Sequence, residues 1–353
     1  MNARRAAGGV TVALIAAAAL AAAVSIQAQS SQQESWTPPR TPDGRPDLQG
    51  VWANNTATPL ERPEIVGDKA VLSDEELARV KARYAELFAS GESDAAFADS
   101  VFVAALGNQD TFSSRDVATG NYNQFWLVDR DFDNRTSLVI DPPNGRLPAF
   151  TPEAQGHREA RIAHLADNPA SSWTDRRLQE RCITFGMPNL FAGYNTYYQV
   201  IQTPGYVVFL HEMIHDARII PLDEFPHVDD AIRQWHGDAR GRWEGDTLVV
   251  ETTNFSPKSD SPAALYQRTR GSAEQLRLVE RFTRVGPDTL QHEFTVEDPG
   301  TYTAAWTAMI PLARKDESLF EYACHEGNIG MEGILAGHRA EEREAAAAAA
   351  GAR

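Results

Sequence analysis

The side chains able to do acid–base or metal chemistry are gathered into a few short words of the sequence. His211-Glu212-Met213-Ile214-His215 satisfies the H-E-x-x-H pattern of zinc peptidases. There, two histidines one helical turn apart hold the metal and the glutamate acts as general base. Asp216 and Arg218 follow at once, and Tyr194, Asn195 and Tyr198 precede. His236, Asp238 and Arg240 form a second group, and His325, Glu326 and Asn328 a third. A histidine beside carboxylates is suited to general acid–base work, because imidazole exchanges protons near neutral pH and a carboxylate can orient it. An arginine nearby could hold an anionic group or a developing oxyanion, and tyrosines could line a pocket for a ring-shaped or apolar ligand.

The zinc reading needs 211–215 to be helical, and the surrounding residues argue for a strand. The segment starts straight after Pro204-Gly205 and is rich in β-branched and aromatic residues, although Val207, Leu210, Ile214 and Ala217 would also form a helical stripe. A strand places His211, Met213 and His215 on one face and Glu212 and Ile214 on the other. The third ligand is also missing from its familiar place, where 216-DARIIPLDEF-225 stands instead, and His227 is out of register for it. The sequence therefore points to a metal-free site. Its expected catalytic groups are Glu212, His215, Asp216 and His325, with substrate contacts from Tyr194, Asn195, Tyr198, Arg218, Glu326 and Asn328. The plainer reading of the same residues is an ion-paired network that closes a hairpin. A zinc-dependent hydrolase working through His211, Glu212 and His215 stands as an alternative. His227 and His236 read as surface or turn residues, and Trp52, Trp126, Trp235, Trp243 and Trp306 as core. No G-x-S-x-G marks a nucleophile, and no G-x-G-x-x-G or P-loop pattern marks a nucleotide, so no cofactor is expected.

These groups must be positioned mainly by strands. Expected strands cover residues 48–52, 135–141, 194–202, 205–213, 217–222, 247–255, 276–285, 289–297, 302–310 and 319–324. In the 276–284 stretch, Leu276, Leu278, Glu280, Phe282 and Arg284 share one face. Turn formers separate the strands: Thr203-Pro204-Gly205, Arg240-Gly241-Arg242, Glu244-Gly245-Asp246, Gly286-Pro287-Asp288 and Asp298-Pro299-Gly300. Residues 73–91 form a helix, with Ser73 and Glu76 in a capping box and Leu77, Val80, Tyr84 and Leu87 on one face. A second helix covers about 152–167. The fold class is thus mainly β, an antiparallel barrel or sandwich (calycin-like) with helical insertions in the N-terminal half.

The chain has 353 residues, 42% of them hydrophobic, enough for a substantial core. A net charge of −16 argues against a nucleic-acid or anionic-membrane partner, since both need a basic surface. Residues 1–28 read as a secretory signal peptide: basic 1-MNARR-5, apolar 10-VTVALIAAAALAAAV-24, then Ala28 before the cut. The expected location is periplasmic or secreted, with no stable membrane anchor after cleavage. Residues 29–41 form a linker, 42–336 a single domain and 337–353 an Ala-rich tail. In an oxidising compartment, Cys182 and Cys324 are expected to be bridged.

Several longer words carry a resemblance. They are 42-PDGRPDLQGVW-52, 134-NRTSLVIDPPNGRLP-148, 193-GYNTYYQVIQTPGYVVFLHEMIHDARIIPLD-223, 232-IRQWHGDARGRWEGDTLVVETTNF-255, 276-LRLVERFTR-284, 295-TVEDP-299 and 321-EYACHEGN-328. Together they cover most of the mature chain, which resembles a family of exported, largely uncharacterised bacterial proteins. The resemblance implies that Glu212-Met213-x-His215-Asp216 belongs to the family pattern and that His211 is a local substitution. It implies no reaction. The function expected from the residues is an enzyme acting on a small organic molecule by elimination, isomerisation or hydrolysis. The alternative is a non-catalytic periplasmic protein that binds a small ligand in the same pocket.

Overall fold

Where β-branched and aromatic residues alternate with polar ones, the chain forms strands whose inner residues are buried one in two. The computed structural model describes residues 36–97, 99–107, 109–113, 123–222, 225–262 and 273–351. The signal-peptide reading lies outside these residues. Everything below belongs to the unit formed by Pro38–Arg353.

Ten strands build one antiparallel sheet: β1 (Gly50–Ala53), β2 (Val139–Asp141), β3 (Tyr197–Thr203), β4 (Tyr206–His211), β5 (Ala217–Pro221), β6 (Asp238–Glu244), β7 (Thr247–Thr253), β8 (Arg277–Gly286), β9 (Thr289–Glu297) and β10 (Trp306–Lys315). Their order is β5-β4-β3-β1-β10-β9-β8-β7-β6, with β2 also on β10. Two-residue links, Pro204-Gly205, Gly245-Asp246 and Pro287-Asp288, close the Thr203/Tyr206, Glu244/Thr247 and Gly286/Thr289 pairs, as the turn formers predict. The ladder ends at β5 and β6 and is not closed by hydrogen bonding. The two edges nevertheless touch. A Cβ on Gly241 in β6 would lie 2.8 Å from Leu222 Cδ2 and 2.9 Å from Ile220 Cγ2, so this approach requires glycine.

The core lies on one face of the sheet. Trp52, Val207, Phe209, Ile220, Leu248, Leu278, Phe282, Leu290, Phe294 and Trp306 are buried together there. Each contributes about 1.5–3 kcal/mol on leaving water. Helix α1 (Asp74–Ala89) starts with the expected capping box: Glu76 N–H donates to Ser73 Oγ at 3.2 Å, and Ser73 N–H to Glu76 Oε2 at 2.9 Å. It packs through Val80 and Leu77 against Phe102 of α2 (Ser100–Leu106). Helix α3 (Pro152–Asp167) is capped by Thr151, and α4 (Ile329–Gly351) buries no residue. Among the described residues, no helix is long and apolar enough to cross a membrane.

Several expectations need correction. Residues 319–324 are not a strand; this segment has no ladder partner among the described residues and is held by single contacts described below. Arg240-Gly241-Arg242 is no turn but the middle of β6, because Gly241 lets that strand pack against β5. The strand expected at 302–310 starts at Trp306 instead. Trp126 is 64% exposed, standing in a one-turn 3-10 helix outside the sheet, and Trp235 is 37% exposed on the wall of a cleft.

Candidate functional site

The 211–216 segment is the turn between β4 and β5. His211 N–H donates to Asp216 O at 2.8 Å, and Glu212 N–H to Tyr197 O at 2.9 Å, so the strand stops at His211. Ile214 (φ 58°) and His215 (φ 45°) then turn the chain in the left-handed region, which costs roughly 1–2 kcal/mol per residue. For a β-branched isoleucine this is unusual backbone, and the burial of Met213 and Ile214 holds it in place. The alternating faces predicted for 211–215 therefore end at His211, and the shared helical face that the zinc reading requires is not formed. His211 is buried, edge-on to the Tyr198 ring at 4.3 Å. His215 is exposed, with Nδ1 3.1 Å from the Tyr322 carbonyl oxygen.

The expected site residues separate into three places. In an outer corner, the His215 and His325 rings lie 6.2 Å apart. The buried Glu212 carboxylate accepts from Asn195 Nδ2 and from the Phe320 backbone N–H, both at 3.1 Å, pinning the C-terminal segment to the turn. The Cys182–Cys324 disulfide ties the same segment down a few residues later, with Cα atoms 5.7 Å apart, as the cysteine pair predicts. Asn328 donates to Glu180 O at 3.1 Å and accepts from Met331 N–H at the start of α4, while Glu326 is exposed. Tyr194 packs edge-on to Phe191 and Phe97. Tyr198 is buried and its hydroxyl donates to Asn189 O at 3.0 Å; burial holds its pKa above the ordinary tyrosine value.

Arg218 points inward from β5. It ion-pairs with Glu280 of β8 and donates to Thr252 Oγ1 of β7 at 2.6 Å. Glu280 Oε1 is 3.0 Å from His292 Nε2, and the His292 ring stacks on Phe282 at 4.3 Å. Burial opposes ionisation of Glu280, but the Arg218 charge and the His292 hydrogen bond outweigh it and hold the carboxyl well below its usual range. His211 faces the same charges without a carboxylate of its own. Burial first, then the neighbouring Arg218, pushes it down to about 3, so it is neutral at pH 7. Arg218 Nε–H has no hydrogen-bond partner among the described residues.

Asp216 leaves the corner for His236, whose Nε2 lies 3.3 Å from Asp216 Oδ2 and 2.9 Å from Thr184 Oγ1. His236 is placed by Gly237 (φ 68°), where a Cβ would come within 2.5 Å of Thr253 O, so only glycine lets this bend reach the end of β7. A cleft of about 600 Å³ opens here along the β5–β6 seam. Its walls include Arg218, Trp235, His236, Asp238 and Arg240. Asp238 joins His227 Nδ1 and Arg240 Nη1, each at 2.8 Å. His227 and His236, read from the sequence as surface or turn residues, thus lie against carboxylates beside a cleft.

Sequence reasoning missed Thr184, Thr252, Glu280 and His292 as members of polar clusters, and grouped His236 with Asp238 and Arg240 rather than with Asp216. A signal existed for two of those missed. Glu280 and His292 fall in step with Leu278, Phe282, Leu290 and Phe294, so strand periodicity alone turns two ionisable groups toward the core. Among the described residues, no group of three or more His, Cys, Asp or Glu is disposed to hold a metal ion. No family model matches the chain, and the comparisons with curated proteins and with solved structures find no significant similarity.

Proposed function

We propose that the protein is an exported enzyme that moves a proton on a small carbonyl compound, without a metal, in the cleft between β5 and β6. The observation that carries this reading is His236, on the wall of a cleft of about 600 Å³ that Arg218 also lines, with Asp216 3.3 Å behind it. His236 is the base, and Asp216 and Thr184 orient its ring. Arg218 Nε–H, lacking a protein partner among the described residues, is the donor for the carbonyl oxygen. The imidazole takes a proton from the carbon next to the carbonyl. The C–H electron pair forms a carbon–carbon double bond, and the carbonyl π pair moves onto the oxygen held by Arg218. Return of the proton to a different carbon is an isomerisation; loss of a β-substituent is an elimination. In this reading Asp216 acts through His236 as a positioning residue, Glu212 serves by holding the turn, and His215 and His325 stay outside the cleft. Contact between β5 and β6 supports a barrel-like, calycin-type enclosure with the site at the seam.

The test is solvent exchange. Small ketones in D₂O are followed by proton NMR with the wild-type protein and with His236→Gln. Wild type should exchange the α-protons, and the variant should be slower by about 10²-fold or more. One observation favours carriage instead: Arg218 and Arg240 already have carboxylate partners, which suits a neutral ligand held without turnover. Ketone binding with no exchange would establish that reading and remove ours.

A further inference from the structure

Beside the cleft lies a second, narrower cavity. It is a slot of about 40 Å³, walled by Phe185, Met187, Leu190, Trp235 and Phe255. Trp235 lines both spaces, and Thr184 of the slot contacts His236 of the cleft at 2.9 Å. The hydroxyls on the slot's rim are already engaged within the protein: Ser259 donates to Trp235 O at 3.1 Å and Ser261 to Asp298 Oδ2 at 2.6 Å. Gln179 and Asp260 also line the slot, and the larger part of what it offers a visitor is apolar surface, much of it already buried from water, at Met187, Leu190 and Phe255. At roughly 10–15 Å³ for each water-sized group, it holds about three heavy atoms.

We propose that the substrate is a small carbonyl compound with a short apolar tail of about three carbons, whose tail fills this slot against Met187 while its carbonyl lies in the cleft. This rests on the acid–base reading of the cleft and adds the substrate class to it. An anionic tail is disfavoured by the Asp260 carboxyl on the slot's wall and by the cost of leaving water for the apolar remainder. A much longer tail is excluded by volume.

The experiment uses the full chain with ¹³C-methyl-labelled methionine. Its 5 methionines give few signals, and Met187→Leu identifies the one that matters. Acetone, 2-pentanone and 2-nonanone are titrated while the Met187 methyl and the His236 ring are observed. The expected result is that 2-pentanone shifts both groups and binds about tenfold more tightly than acetone, as two more buried methylenes imply. Acetone should shift the His236 ring alone, and 2-nonanone should bind no better than acetone. In Met187→Ala, which removes three heavy atoms from the wall, 2-nonanone should gain about tenfold; Phe185→Ala serves the same purpose if that variant does not fold. A 2-pentanone that shifts His236 but leaves the Met187 methyl unmoved overturns the slot and leaves the cleft reading standing. Ketones that shift neither group overturn both.

Discussion

The inner row of Arg218, Glu280 and His292 and the outer corner of Glu212, His215 and His325 draw on the same kinds of side chain, to different ends. The inner row is buried, so each charge has to be matched. Arg218 is neutralised by Glu280, Glu280 takes a second bond from His292, and His211 beside them gives up its charge altogether. In the outer corner His215 and His325 stand in solvent, while the buried Glu212 carboxylate is held by two hydrogen bonds. The difference teaches that burial, more than residue type, decides which of these groups the fold depends on.

The hardest blow to that contrast is Glu280→Ala, which leaves the Arg218 guanidinium buried and unmatched. It should cost about 3–5 kcal/mol in urea unfolding. Replacing Arg218 by Met in the same chain should restore much of it, and no recovery would mean the pair is not what stabilises the row. Next comes acid. With His211 held at about 3 in the folded protein against an ordinary value near 6.5, the folded state binds fewer protons. The stability this gives is complete above about pH 6.5 and is lost as pH falls toward 3. Between pH 7 and 4.5 the loss should be about 2–3 kcal/mol. Asp99, lifted to about 6 by burial, works in the opposite sense, so the quantity to measure is the difference between wild type and His211→Leu across that range. Between pH 7 and 4.5 the variant should lose about 2–3 kcal/mol less than wild type.

On the corner's side, Glu212→Ala removes the acceptor for Asn195 and Phe320 and should cost about 1–2 kcal/mol. Amide hydrogen exchange should accelerate at Phe320 and its neighbours while the β8–β9 ladder stays protected; uniform acceleration would show that the corner is not a separate unit. Smallest of all, His325→Ala should change stability by less than about 0.5 kcal/mol, because its ring stands in solvent. A larger cost would erase the distinction between the two regions.

The strands of the C-terminal half could be read because their signal is local. Leu278, Glu280, Phe282 and Arg284 do share the buried face, as alternation predicts. Where the reading failed, a neighbour distant in sequence had intervened. Residues 319–324 carry strand-forming side chains but find no ladder among the described residues and are held by Glu212 and a disulfide instead. Arg240 to Arg242 have turn composition, yet run straight because Gly241 allows β5 to lie against them. The polar word at 211–218 was visible as a cluster, but the left-handed turn at Ile214 and His215 sent Asp216 one way and Arg218 another.

By itself, the sequence determined the strand faces, the two-residue hairpin links, the Ser73–Glu76 cap and the cysteine pair. The first three depend on residues a few positions apart, and the last needs no knowledge of shape once only two thiols exist. Tertiary structure alone decided which cation meets which anion. Arg218 and Glu280 have β4, β3, β1, β10 and β9 between them along the ladder, and they touch because the sheet curves until β5 lies near the strands at its other end. His236 reaches Asp216 across the same seam, and no spacing along the chain records that curvature.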